Sequence, residues 1–147
     1  MWFPGVHADV GGGYPERDGG LWLVAFDWMI EEARSLGLIV NDAQLEHVRN
    51  HSVQAPREPW AEPAHESLAG RWKLAEYFPK RRWDAKTGYH YRSNRAHARS
   101  IPDGALIHES ALKRIRANGY RPPNFSDAFV SKVRALDVLP QALPYQC

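Results

Sequence analysis

Trp2-Phe3-Pro4-Gly5-Val6-His7-Ala8-Asp9-Val10-Gly11-Gly12-Gly13-Tyr14 is the most informative segment of the chain. Its apolar opening, from Met1 to Val6, reads as the end of a buried strand with nothing before it to pair with, so the chain is expected to begin inside a larger domain. A glycine-rich loop follows, running through Tyr14-Pro15 to Gly19-Gly20. Beyond it, Leu21, Val24, Ala25, Trp28 and Met29 recur at the spacing of one helix face. Leu23, Phe26 and Ile30 populate the opposite side, which predicts burial on more than one face, and Gly37 is the natural stop just past the C-terminus. A strand end, a glycine-rich loop and an amphipathic helix are thus expected in that order.

Working outward, Asn41-Asp42 opens a shorter helix through Val48, and Pro56, Pro59 and Pro63 impose an extended stretch. A second amphipathic helix is predicted from Glu66 to Phe78, with Leu68, Trp72 and Ala75 on one stripe and Pro79 closing it. Alternation around Ser93-Asn94 predicts a β-hairpin near 87–100. Ile107 to Asn118 reads as a helix stopped by Gly119, and Ser126 caps another from Asp127 to Leu136. The expected architecture is therefore mainly helical, with one core strand at the N-terminus.

The 147 residues, 44% hydrophobic and 24% charged, have the composition of one globular domain, and eleven prolines with eleven glycines predict many loops. The single cysteine, Cys147, excludes an intrachain disulfide and a thiolate zinc site. The longest apolar run, Leu21 to Ile30, is broken by Asp27, and no signal-like segment opens the chain, so a soluble protein is expected, cytoplasmic or exported by a dedicated system. Charge is divided along the chain: residues 1–70 hold 4 basic and 11 acidic side chains, and residues 71–121 hold 13 and 4. The basic block suits an anionic surface such as phospholipid headgroups, and equally suits a solvated face or one turned toward the acidic half.

Two triplets, His65-Glu66-Ser67 and His108-Glu109-Ser110, resemble half of a zinc-protease helix motif. That motif needs a second histidine one turn on, and Ala69 and Leu112 stand there, so no metal is expected; both triplets are placed at helix N-termini, where the acidic residue favours the dipole. The triple glycine matches neither phosphate-binding spacing. His7, just beyond a strand and before a loop and helix, stands where an α/β-hydrolase carries its triad base. Spacing alone is equally that of a buried, hydrogen-bonded histidine, and Asp9 equally that of a loop aspartate capping the Gly11 or Gly12 amides.

The opening block, with Gly20-Leu21, Trp28-Met29 and Glu32-Ala33, resembles the uncharacterised α/β hydrolase domain that forms the catalytic domain of type VI secretion phospholipase effectors. His65-Glu66-Ser67-Leu68 with Trp72 and Glu76, and Ile107 to Ser110 through Arg114 to Tyr120-Arg121-Pro122-Pro123, look like later blocks of that family. The resemblance implies the C-terminal portion of an α/β-hydrolase fold: residues 1–147 as a single partial domain, 1–40 holding the last core strand, histidine loop and following helix, and 41–147 a family-specific helical extension. It implies that His7 is the general base and that nucleophile and acid precede residue 1; Asp9 either orients the loop or only caps it. None of the eight serines sits in a G-x-S-x-G elbow. The chain is then the base-bearing part of a serine esterase or phospholipase, inactive alone, without a cofactor, acting on an ester or phospholipid with the missing N-terminal part, and touching a membrane surface. The alternative is a non-catalytic interaction module, or a half that docks onto a separate N-terminal chain. No nucleic acid is expected, since Lys80 to Arg99 carries no stacking pattern of a known module.

Overall fold

A computed structural model of the chain describes residues 1–15, 20–52, 58–66, 70–84, 88–93, 95, 98–117 and 119–146. The chain mixes helices with small antiparallel sheets and divides into two compact units, Met1–His65 with Ile101–Cys147, and Glu66–Ser100.

The first unit contains α1 (His7–Gly11), α2 (Leu21–Ser35), α3 (Asp42–Ser52), a 3-10 turn at Pro59–Ala61, β3 (Leu106–His108), α5 (Glu109–Ala117), α6 (Asp127–Ala135) and β4 (Ala142–Pro144). Its core is built by α5 and α6, each presenting an apolar stripe at helical spacing: Ala111, Leu112 and Ile115 against Phe129, Val130 and Val133. Ile101, Ile107 and Tyr145 complete the cluster. Leu112, Ile115, Phe129 and Val133 are almost fully buried, each worth about 1.5 to 3 kcal/mol on transfer from water. Ser126 caps α6 as its type predicts, its Oγ accepting from the Phe129 amide at 3.2 Å, and the helix ends at Ala135.

α2 spans the expected residues and ends as expected. The Leu38 amide donates to the Ala33 carbonyl at 3.0 Å and the Gly37 amide to Arg34 at 2.9 Å, with Gly37 at φ +97°, a Schellman closure that favours glycine. Its buried residues are Leu21, Leu23 and Ala25, on both sides of the first turns, whereas Met29 is 59% exposed. The stripe expected from periodicity therefore holds only where the helix is covered by α1 and the 3-10 turn. Asn41 opens α3, its Oδ1 accepting from the Gln44 amide at 3.2 Å.

Four expectations are corrected. The N-terminal strand reduces to one parallel bridge, Trp2 with Ile107, because Pro4 has no amide to donate and Gly5, at φ +108°, turns the chain away. Ile107 and His108 belong to β3, which pairs antiparallel with β4, Ile107 opposite Leu143. The helix begins only at Glu109, whose amide donates to the Gln141 carbonyl at 2.8 Å. That ladder forms with residues more than thirty positions away, so no local pattern announces it.

The second unit, described by itself, holds α4 (Arg71–Ala75), β1 (Lys80–Asp84) and β2 (Gly88–Arg92). The helix expected from Glu66 to Phe78 covers only Arg71–Ala75, while Ser67, Leu68 and Ala69 lie outside the described residues. The hairpin is displaced from 87–100: Lys80 pairs with Arg92, Arg82 with His90 and Asp84 with Gly88. The basic run after Pro79 is strand, and the ladder ends with Asp84 opposite Gly88 rather than closing around Ser93-Asn94; residues 85–87 and Asn94 lie outside the described residues.

Candidate active site

The site is built on the opening stretch. Gly5 occupies a positive φ, and a Cβ there would lie 2.7 Å from Asp9 Cβ, so only glycine lets the chain fold back onto α1. Asp9, the third residue of that five-residue helix, turns its carboxylate back to accept from the Val6 amide at 2.9 Å, the reciprocal half of a capping box. Gly12, at φ +72°, closes the helix, and the Gly13 amide donates to the Ala8 carbonyl at 2.9 Å. The glycine run is thus a helix terminator, and Asp9 caps Val6 rather than Gly11 or Gly12.

Asp9 is 3% exposed, and its carboxylate is met from a distant part of the chain. Oδ2 also accepts from the His65 amide at 3.1 Å, and Oδ1 lies 2.6 Å from His65 Nδ1. A carboxylate holding three donors satisfies most of its lone pairs, which makes its burial tolerable. With Nδ1–H directed at Asp9, the second ring nitrogen of a neutral His65 is left as an acceptor. The Tyr14 ring stacks on the imidazole at 3.8 Å, fixing its plane. His65 lies in a segment without regular secondary structure, and the next described helix begins at Arg71.

That segment is itself anchored. Arg114, buried on α5, donates through Nη1 to the Trp60 carbonyl at 2.8 Å and the Glu62 carbonyl at 2.6 Å. Its guanidinium lies 5.0 Å from the Tyr120 ring centre. Burial pushes the Tyr120 phenol above the usual tyrosine value, and the Gly5 backbone beside it acts in the opposite direction. Arg114 therefore ties α5 to the segment that carries His65. Sequence reasoning grouped these residues only as blocks of a resemblance; His65 was legible as a singled-out triplet, but its partner was not.

His7 is the first residue of α1 and is exposed, and among the described residues no hydrogen bond holds its ring. The structure brings Asp9 and His65 into contact and leaves His7 presented outward on the clamped loop. The second triplet does something different. Ser110 Oγ lies 2.9 Å from His108 Nδ1, which also accepts from the Ser110 amide at 3.2 Å, so this histidine caps α5. Burial lowers the His108 pKa below its ordinary 6.5. His108 and Ser110 border a cavity of about 500 Å³ with Trp28, Trp60 and several carboxylates. Among the described residues no cluster could hold a metal ion, and no helix is long and apolar enough to cross a membrane.

Residues 1–32 match the family model described as T6SS, phospholipase effector Tle1-like, catalytic domain. The match contains Gly5, His7, Asp9, the glycine run and most of α2, and it ends before the segments that supply His65, Arg114 and Tyr120. No curated protein and no solved structure matches the chain.

Proposed function

We propose that the chain is the base-bearing part of a serine esterase or phospholipase, with His7 as the general base. The observation that carries this reading is the anchoring of the His7 loop: a buried Asp9 held by Val6 and His65 leaves the histidine exposed on a fixed support, inside the segment that matches a phospholipase effector catalytic domain. In such a mechanism His7 takes the proton from a serine hydroxyl as it attacks the ester carbonyl, and returns it to the departing alcohol. Asp9 orients the loop through the backbone. No serine of the sequence stands in a G-x-S-x-G elbow, so on this reading the nucleophile comes from outside these residues and the chain is inactive alone.

The 2.6 Å contact favours a second reading, in which Asp9 orients His65 as the base. One experiment separates the two: hydrolysis of a short-chain p-nitrophenyl ester by the purified chain, alone and mixed with the polypeptide encoded upstream, for the native sequence, His7→Ala and His65→Ala. Activity only in the mixture, reduced at least about a thousandfold by His7→Ala and clearly less by His65→Ala, is expected. The reverse ranking assigns the base to His65. Activity from the chain alone places the nucleophile within it, and none in any combination leaves a non-catalytic module.

A further inference from the structure

The unit Glu66–Ser100 differs in charge and surface from the rest of the chain. It carries nine Lys and Arg against three Asp and Glu, while the remaining residues carry ten against fourteen. Among the described residues none of the buried apolar side chains lies in it, and every exposed aromatic side chain does: Tyr77, Phe78, Trp83, Tyr89 and Tyr91, each between 62% and 74% exposed.

The hairpin register explains the arrangement. Residues alternate between the two faces of a strand, and cross-strand partners share a face. Arg81 and Trp83 of β1 therefore stand with Tyr91 and Tyr89 of β2. The rings engage one another, Trp83 edge-on to Tyr89 at 4.9 Å and the Arg81 guanidinium 3.7 Å above the Tyr89 ring. Lys80 and Arg92 pair across the open end of the ribbon and belong to the other face. Leu74, Tyr77 and Phe78, in the segment that precedes β1, are also exposed.

We propose that this face docks onto an anionic lipid bilayer. Tryptophan and tyrosine settle at the headgroup level, where an apolar ring body and a polar tip are both accommodated, and flanking Lys and Arg are drawn to lipid phosphates. The charge excess of the unit supplies the attraction, and the aromatic face supplies the insertion. A single-stranded nucleic acid fits less well, because base stacking needs open ring faces and Arg81 already covers Tyr89. Leu74 and Phe78 likewise offer aliphatic and apolar area that a phosphate backbone does not use. The inference stands on the hairpin alone and does not depend on ester hydrolysis.

The test is flotation of the full chain with vesicles of phosphatidylcholine, with and without phosphatidylglycerol, alongside binding to poly(U). Partition onto the anionic vesicles is expected, weakening as salt is raised, and at least about tenfold weaker for a Trp83→Ala, Tyr91→Ala double variant whose circular dichroism is unchanged. Quenching of tryptophan fluorescence by bromine-labelled lipid, lost in Trp83→Phe, places the same ring at the bilayer without removing the aromatic face. Equal binding to neutral vesicles, full binding by the double variant, or equal quenching of the native chain and Trp83→Phe overturns the proposal. Tighter binding to poly(U) than to vesicles, with the same dependence on Trp83 and Tyr91, also overturns it and assigns the face to nucleic acid.

Discussion

Gly5 and Asp9 illustrate how much of the site rests on single residues. Replacing Gly5 by alanine forces a side chain into a positive φ and a 2.7 Å approach to Asp9 Cβ, so Gly5→Ala is expected to destabilise the chain by about 2 to 4 kcal/mol in urea denaturation. His108 gives a pH dependence. Burial disfavours its charged form, so the folded chain binds this proton more weakly than the unfolded chain, whose histidine titrates near 6.5. Its contribution to stability is complete above 6.5 and is lost as the pH falls from there through the lowered folded-state value. The denaturation midpoint should therefore drop on acidification below 6.5, and drop less in His108→Gln. His7 and Asp9 could be singled out from the sequence because strand, histidine and glycine loop are contiguous. His65 could not be assigned to Asp9, since a contact spanning fifty-six positions leaves no local spacing to read.

Among the elements, the 3-10 turn at Pro59–Ala61 and the strand β3 depend most on their neighbours. The segment from Trp60 to Glu62 owes its position to the Arg114 guanidinium, which donates to both of those carbonyls. Arg114→Met is expected to cost about 3 kcal/mol, since hydrogen bonds from a charged donor are each worth about 1.5 to 3 kcal/mol and two carbonyls lose their partner. Arg114→Lys should recover only part of this, because one ammonium lacks the forked reach of a guanidinium. Helices α2 and α6 were legible from periodicity and caps, as Gly37 and Ser126 show. β3 was not: three residues, Leu106 to His108, run directly into a helix of the same apolar rhythm, and only β4 and Trp2 identify them as extended.

Among the described residues, burial is concentrated in the first unit, around α5, α6 and β3, and those of the second unit add none to the buried apolar set. A two-stranded hairpin by itself is marginally stable in water. Hydrogen–deuterium exchange is therefore expected to protect the amides of Glu109–Ala117 and Asp127–Ala135 most strongly and those of Lys80–Arg92 least. Comparable protection in both segments would show that the hairpin is stabilised by more than its own ladder.

By itself the sequence determined the opening motif, its match to a phospholipase effector catalytic domain, the main amphipathic helices with their caps and stops, and the concentration of basic charge between residues 71 and 121. These are properties of contiguous residues, set by helical and strand periods and by the torsional limits of glycine and proline. Tertiary structure alone decided that Asp9 meets His65, that Arg114 holds the segment from Trp60 to Glu62, and that the hairpin turns an aromatic face to solvent. Those outcomes depend on which distant groups fill a carboxylate's lone pairs, accept from a buried guanidinium or pair across a strand. Such choices are made by packing and hydrogen-bond satisfaction among residues far apart in the chain.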